Sequence, residues 1–359
     1  MVVFFSHYLN RVACNTLASL TNLGYGLELK KYTAIARSNS TDKGAFLEVN
    51  VTPKPSLIFI FAFLCILFLT LSASANFEKA PGSPPPSVVV SISPLSFLVS
   101  GVMEGVGQPH TLLPSGATPH SYNMRPSDAR ALNQADVIFW GGEALETFLA
   151  RPLSTLPDAI LQIELGETPG LIMEPDMQTQ HQAPAEHGAA NMHFWLSTTN
   201  AQLLVDEIAA TLLKRDPDNK ALYQSNAARM KQRLAVLKDE LSIQLQDIQH
   251  RPYMVYHDAF RYFEEEFGLN SQGAIIINPD VPLGVASITK LRRTLSQLSI
   301  VCIFSEPQFN AQLLQTLTEG MQVRTESLDP LGAEIDPGPD GYFTLMRRLA
   351  NSLHLCLSE

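Results

Sequence analysis

The chain has 359 residues, 45% of them hydrophobic and 17% charged, which is enough for one large domain or two of medium size. A mean hydropathy of +0.05 excludes both a polytopic membrane protein and a disordered acidic chain. The formal net charge of −10 argues against a nucleic-acid-binding surface, which needs clustered Lys and Arg, but it supports cation binding only weakly.

A secretory signal is predicted in the N-terminal part of the chain. An apolar stretch at 57–71 follows Lys54 and precedes Ala73–Ala75, which supplies the charged, apolar and A-x-A parts of a signal peptide. The stretch is short for a membrane span, which needs about 20 residues; a retained anchor is the alternative. We therefore expect residues 1–75 to be an N-terminal extension plus signal peptide, cleaved after the last of these alanines, with export to the periplasm. Translation is expected to start near Val51.

Strands and helices alternate in the first half of the exported chain, after a Pro-rich leader at 76–86. Short β-branched runs predict strands at 87–93, 110–113, 137–140 and 160–163. Helical patterns between them predict helices at 126–134 and 143–149. This alternation is typical of a parallel sheet with helices on both faces. The polar segment 171–192, which contains Pro and Gly, is predicted to be a long exposed loop.

A single long helix is predicted near the middle of the chain. Residues 218–248 contain no Gly or Pro and repeat apolar residues at helical spacing. At ~1.5 Å per residue they would form a rod of roughly 46 Å, longer than a small domain is wide. We therefore expect a linker at 216–250 to span two lobes. A coiled coil is the alternative, although strict heptads are not sustained.

Alternation resumes in the second half, with strands predicted at 253–256, 274–277, 301–304 and 323–328. The predicted fold class is therefore α/β. It consists of two Rossmann-like lobes, each a mostly parallel sheet with flanking helices, joined by one long linker helix. The lobes are expected at 87–215 and 251–359.

Polar side chains follow the predicted strands of the second lobe. His257 and Asp258 follow the first of them, Glu306 follows the third, and Asp329 follows the last. Ligands of open α/β sheets bind beyond the carboxyl ends of strands, so these side chains are expected to meet at one edge. Glu306 and Asp258 are candidates for orienting ligands, or for capping the helices that follow.

Two further histidines are candidate metal ligands in the first lobe. His120 stands in a loop stiffened by Gly116 and Pro119, and His193 follows the polar loop. Three imidazoles with a carboxylate or water form a zinc site by ligand type, although imidazole also suits copper, nickel and iron. Taken singly, each histidine is as consistent with a structural or surface role. His181 and His187 lie in the polar loop, where they are either weak metal contacts or solvated residues.

Two cysteines remain once residues 1–75 are removed, Cys302 and Cys356. An even pair in an exported protein predicts a disulfide. Two buried free thiols are the alternative.

The chain also resembles a known family, the periplasmic zinc-binding proteins of zinc ABC importers (the ZnuA group). The resemblance covers nearly all of 87–359 and rests on five stretches in the family's order: LLPSGATPHSYNMRPSDARALNQADVIFWGGEALETFL, NMHFWLST, YHDAFRYFEEEFGL, FSEPQF and LDPLG. It implies Zn²⁺ held between two lobes by His120, His193 and His257, and a cross-lobe helix that limits hinge motion. It also implies delivery to an ABC permease in the inner membrane by a monomer without enzymatic activity. The Cys302–Cys356 pair matches a disulfide found in part of the family.

Two departures from the family pattern bear on the metal. Pro119 stands where some members have an acidic residue, so the fourth ligand is expected to be water or Asp329. The polar loop, often dense in His and acidic residues in the family, holds only His181 and His187.

Related manganese binders have a carboxylate in place of His257, which favours zinc here. The alternatives are a manganese- or iron-binding homologue, a surface adhesin, and a zinc hydrolase, although no H-E-x-x-H motif is present.

Overall fold

The computed structural model describes residues 84–175, 190–276, 284–309 and 312–358. The predicted extension, the signal peptide and its cleavage site lie outside the described residues. So do His181 and His187 in the polar loop. No helix in the described ranges combines the length and the apolar character needed to cross a membrane.

The first lobe is built on a parallel sheet of four strands in the order β2-β1-β3-β4. These strands are β1 Val88–Val90, β2 His110–Thr111, β3 Val137–Trp140 and β4 Leu161–Glu164. The helices of this part of the chain are α1 Ser93–Val102, α2 Pro126–Asn133, α3 Thr147–Leu153 and α4 Thr198–Arg215. Two short 3₁₀ turns lie at Leu165–Glu167 and Phe194–Leu196.

The second lobe repeats the same strand order, as β6-β5-β7-β8, again all parallel. Its strands are β5 Tyr253–Val255, β6 Ser271–Ala274, β7 Cys302–Ser305 and β8 Arg324–Ser327. Its helices are α6 Arg261–Phe267, α7 Val285–Gln297, α8 Gln312–Thr318 and α9 Gly341–Leu357. Two parallel sheets with flanking helices confirm the predicted fold class.

Side chains on opposite faces of each sheet enter different cores, because successive residues of a strand point to opposite sides. Val88 and Val90 of β1 lie in a large core shared by both lobes, whereas Val89 lies in a separate outer core under α2 and α3. In the second lobe, Val255 joins the shared core and Met254 an outer core under α7 and α8. Burial on both faces explains why these strands are continuously apolar.

One long helix, α5 Lys220–Leu245, packs against both lobes after a 3₁₀ turn at Pro217–Asn219. It has 26 residues, so it is about 39 Å long, shorter than predicted at both ends. The amide of Asn226 donates to the carbonyls of Val102 and Glu104 at the end of α1. At the other end of α5, Glu240 accepts a bidentate pair of hydrogen bonds from Arg347 of α9 at 2.8 and 2.7 Å.

Two further predicted elements differ from the structure in their boundaries. The helix expected at 143–149 begins only at Thr147, because the preceding residues form a turn in which the buried Glu146 carboxylate accepts from the backbone N–H of Gly141 at 2.7 Å. The strand expected at 274–277 ends at Ala274. The ladder with β5 begins at Ser271 and its register shifts. The backbone N–H groups of Ile275 and Ile276 continue the bonding, to the carbonyls of Val255 and Tyr256.

The predicted disulfide is present and joins Cys302 at the start of β7 to Cys356 near the end of α9. Both cysteines are buried. The bridge therefore attaches the C-terminal helix to a central strand of the second sheet.

Candidate metal centre

Three histidines from different parts of the chain meet in one place. One ring nitrogen from each of His120, His193 and His257 lies within 4.8 Å of the others. His257 follows β5, His193 precedes the 3₁₀ turn at Phe194–Leu196, and His120 lies between β2 and α2. The sequence thus identified a cluster that the fold brings together, at the carboxyl end of a sheet. Within the described ranges it is the one group of three or more such side chains spaced for a metal.

Two of the histidines are already spaced as metal ligands. Nε2 of His257 lies 3.4 Å from Nε2 of His193. Two nitrogens bound to tetrahedral zinc lie about 3.3 Å apart when each Zn–N bond is ~2.05 Å. Since both rings turn the same kind of nitrogen towards the same point, a single ion fits between them.

Hydrogen bonds behind the rings fix which nitrogen faces that point. Oε1 of Glu306 lies 2.5 Å from Nδ1 of His257, and Oδ1 of Asn191 lies 2.9 Å from Nδ1 of His193. A carboxylate accepts hydrogen bonds, so Nδ1 of His257 carries the proton and its Nε2 presents a lone pair. This arrangement orients a metal-binding imidazole and strengthens it as a ligand.

The sequence did not identify Asn191 as a functional residue. Its Oδ1 also accepts from the backbone N–H of His193 at 3.0 Å, and its Nδ2 donates to the carbonyl of Asp258 at 2.5 Å. The hydroxyl of Tyr262 donates to the carbonyl of Asn191 at 2.5 Å. Asn191 therefore has one possible amide orientation, with its oxygen towards His193. Its place two residues before the histidine was the only signal in the sequence.

Burial keeps His193 in the neutral state that binds a cation. His193 and His257 are 6% and 2% exposed, and Glu306 is 3% exposed. Burial lowers the pKa of His193 well below its usual 6.5, and the neighbouring His257 and His120 lower it further. Burial raises the pKa of the Glu306 carboxyl, although the adjacent His257 opposes this. A neutral His193 keeps its lone pair available to a metal below pH 6.5.

The cavity between the histidines is small. Phe309 meets the ring of His257 edge-on, with ring centres 5.5 Å apart, and Trp195 lies beside His193 at 5.2 Å. The cavity has a volume of about 10 Å³. It is lined by the three histidines together with Thr118, Pro119, Glu306, Gln308, Phe309, Pro330 and Leu331.

The loop that carries His120 is held at both ends. Gly116 has a positive φ of 77°, which only glycine adopts readily, and the hydroxyl of Ser115 donates to the carbonyl of Ala333 in the second lobe. Beyond the histidine, the hydroxyl of Tyr122 donates to Asp128 of α2 at 2.7 Å. These contacts fix the loop on both sides of His120.

The two aspartates predicted near the metal have other partners in this structure. Oδ1 of Asp329 accepts from Nε2 of Gln308 at 2.8 Å and from the backbone N–H of Leu331 at 3.0 Å, and its Oδ2 accepts from the N–H of Ala333 at 2.5 Å. Asp258 reaches the site through its backbone carbonyl, which accepts from Asn191. Asp329 as a fourth ligand and Asp258 as an orienting carboxylate stay predictions.

The backbone around His193 is bonded to the second lobe. Nε1 of Trp195 donates to the carbonyl of Pro330 at 3.0 Å, and the hydroxyl of Tyr342 on α9 donates to the carbonyl of Trp195 at 2.6 Å. Glu266 of α6 accepts from the backbone N–H groups of Thr198 and Thr199 at 2.6 and 3.0 Å. His193 is thereby held against His257 by groups of the second lobe, although it precedes α4 in the chain.

Comparisons with known proteins all find similarity to zinc-uptake proteins. A family model described as "Zinc-uptake complex component A periplasmic" matches residues 88–356. The high-affinity zinc uptake system protein ZnuA of Brucella suis is 38% identical over 306 residues, covering 76% of this chain and 92% of that protein. Its namesake in Yersinia pestis is 34% identical over 290 residues, covering 76% and 91%. A crystal structure of ZnuA superposes with a TM-score of 0.66 at 23% identity, over 76% of this chain and 99% of that one. At this identity the superposition shows the shared fold.

Proposed function

This chain belongs to the family of periplasmic zinc-uptake components, and from that membership we propose that it captures Zn²⁺ between its two lobes and delivers it to the membrane permease of an ABC importer. The curated relatives are named high-affinity zinc uptake system proteins, and the match to this chain covers most of their length. The metal is cargo in this function, and the protein binds and releases it unchanged.

The observation that carries the proposal is the pair of imidazole nitrogens 3.4 Å apart with a third histidine beside them. We assign His120, His193 and His257 as ligands, with water or Asp329 completing the set. Three imidazoles suit zinc, whereas manganese prefers oxygen ligands. Because protons compete with the metal for the same lone pairs, zinc affinity falls as the pH drops through the histidine range.

A binding role fits this site better than a catalytic one. A hydrolase must admit an ester or peptide to its metal, whereas the cavity beside these histidines has a volume of only about 10 Å³. The relatives' names are also those of uptake proteins.

Single alanine variants of the three histidines test the proposal. Truncating His193 or His257 removes one of two ligands spaced for zinc, so affinity is expected to fall by about 100-fold or more, and His120→Ala is expected to weaken binding as well. His250→Ala is the matched control, because that exposed histidine follows α5 outside the cluster. Competition against a chromophoric chelator gives the affinities, and thermal unfolding of the metal-free proteins checks the fold. Unchanged zinc affinity in both His193→Ala and His257→Ala would rule out this site.

A further inference from the structure

Gln308 lines the metal cavity and carries a buried side-chain oxygen without a hydrogen-bond partner. Its Nε2 donates to Oδ1 of Asp329 at 2.8 Å. Its Oε1 is shielded from solvent and has no hydrogen-bond partner among the groups that the structure describes. The side chain lines the same small space as His120, His193 and His257.

The orientation of this amide follows from its partner. The two ends of a glutamine amide are hard to tell apart by shape, and the hydrogen-bond network decides between them. Both oxygens of Asp329 already accept from backbone N–H groups, so the NH₂ group of Gln308 faces this carboxylate and Oε1 faces away. Asp329 is itself fixed by the backbone N–H groups of Leu331 and Ala333. The hydrogen bonds of Asp329 to this turn therefore fix the direction of Oε1 of Gln308.

A buried acceptor without a donor is costly, and such groups in native proteins usually bind ordered water or a ligand. Gln308 and the three histidines line the same cavity, so a ligand that completes the coordination of an ion held by the histidines would come near this side chain. A neutral amide oxygen is a poor zinc ligand beside imidazole, thiolate and carboxylate. Water bound to a metal is a strong hydrogen-bond donor, because the cation draws charge from its oxygen.

We propose that Gln308 positions the fourth ligand: its Oε1 accepts a hydrogen bond from a water molecule that completes the coordination of the bound metal, and Asp329 acts behind it by holding the amide. This rests on the proposed function, since it assigns the remaining position of the same three-histidine site. The ligand set is then three neutral imidazoles and one water, with no carboxylate on the metal. Gln308 and Asp329 are positioning residues in this scheme.

Zinc affinities of Gln308→Leu, Asp329→Asn and the double variant test the proposal. Loss of a residue that orients a metal ligand typically costs about 10–100-fold in affinity, so Gln308→Leu is expected to bind zinc about tenfold more weakly. If Asp329 acts through Gln308, its substitution costs no more than that, and the double variant is no weaker than Gln308→Leu alone. Gln297→Leu, on the exposed end of α7, is the matched control and is expected to bind as the parent protein does.

Two further measurements separate positioning from a purely structural role. Gln308→Leu loses one hydrogen bond but also removes a buried orphan acceptor, so the unfolding temperature of the metal-free protein is expected to change by less than about 3 °C. A crystal structure of the zinc-loaded parent protein is expected to show a water about 2.1 Å from the metal and about 2.8 Å from Oε1 of Gln308.

Three results would overturn the inference. One is parent-like zinc affinity in Gln308→Leu. Another is a much larger loss in Asp329→Asn than in Gln308→Leu, with a carboxylate on the metal in the crystal. The third is a direct bond from Oε1 of Gln308 to the metal. The His257→Ala variant keeps this separate from the proposed function: if it loses zinc while Gln308→Leu does not, only the assignment of Gln308 fails.

Discussion

Two buried glutamates follow equivalent strands of the two lobes and have different partners. Glu306 follows β7 and meets His257, whereas Glu146 follows β3 and accepts from the backbone N–H groups of Gly141 and Gly142 at 2.7 and 3.3 Å. Strands β3 and β7 hold the same position in their sheets. Burial raises the pKa of Glu146 to about 7, against its hydrogen bonds from the backbone of Gly141 and Gly142. One site thus holds a carboxylate beside an imidazole, and the other a carboxyl that is readily protonated.

Glu146→Gln is expected to change how stability depends on pH. Between about 4.5 and 7 the folded protein binds a proton at Glu146 that the unfolded chain does not, so this group makes stability fall as the pH rises. Glutamine keeps an acceptor for Gly141 and cannot ionise. The variant is therefore expected to be more stable than the parent at pH 8, by roughly 1–3 kcal/mol, and to lose this advantage by pH 5.

Urea unfolding at the two pH values measures this difference. Glu264, whose pKa burial also raises to about 7, is present in both proteins and contributes equally to each. Glu143→Gln, on the exposed surface nearby, is the control. An equal difference between parent and Glu146→Gln at both pH values would show that Glu146 does not titrate in this range.

At the residue scale, the sequence identified the histidines but not the amides. His257 was predictable because it directly follows a strand, and ligands gather at that edge. Asn191 and Gln308 were not, since the role of an amide depends on which of its two ends meets which partner in space. Asp258 illustrates the limit further, because the described contact to the site comes from its backbone carbonyl.

At the element scale, Glu266 of α6 caps the first turn of α4 from outside that helix. Its carboxylate accepts from the N–H groups of Thr198 and Thr199 and lies 3.2 Å from Nζ of Lys238 on α5. Burial alone would raise the pKa of Glu266, but the hydrogen bonds from Thr199 and Thr198 and the charge of Lys238 outweigh it and the pKa is lowered. The stabilisation is therefore present above about pH 4.5 and is lost in stronger acid.

Replacing Glu266 with alanine is expected to destabilise the protein by about 2–4 kcal/mol at pH 7. The loss follows because N–H groups of a helix terminus and a partly buried ammonium group lose their acceptor. Glu265→Ala provides the control: its exposed side chain lies 3.7 Å from Arg261, and such a pair contributes at most about 1 kcal/mol. Denaturant unfolding compares the two, and equal losses would contradict the capping role.

Element types were easier to predict than element boundaries. The buried valines of β1 and the periodic apolar face of α5 indicated strand and helix correctly, because each pattern repeats over several residues. The start of α3 was missed since one buried carboxylate, Glu146, holds the preceding residues in a turn. The hydrogen bond from the Gly141 backbone to Glu146 forms only in the folded protein, so the sequence pattern does not reveal it.

At the scale of the whole molecule, a disulfide links two distant parts of the second lobe. The bridge from Cys302 to Cys356 spans a sequence separation of 54 residues. In the chain-entropy model, closing a loop of that size limits the unfolded chain and stabilises the folded protein by about 4 kcal/mol. The bridge begins at the start of β7, whereas Glu306 follows its opposite end.

A Cys302→Ala/Cys356→Ala variant is expected to unfold at lower urea concentration, with a loss of about 4 kcal/mol. Zinc affinity is expected to change less than about threefold, because the bridge lies at the end of β7 away from the histidines. Parent protein treated with a reductant serves as the comparison and is expected to match the variant. If reductant did not change the urea concentration at which the parent protein unfolds, the two cysteines would be free thiols.

The attachment of His193 to the second lobe has a consequence for protein engineering. Trp195, the first turn of α4 and Asn191 all bond to groups of α6, α9 or the residues after β5 and β8. A chimera that exchanges lobes between relatives and joins them at α5 would separate these groups from their hydrogen-bond partners in the second lobe. A chimera should therefore transfer the second lobe together with residues 190–199. His193 and His257 then keep the groups that hold them in place.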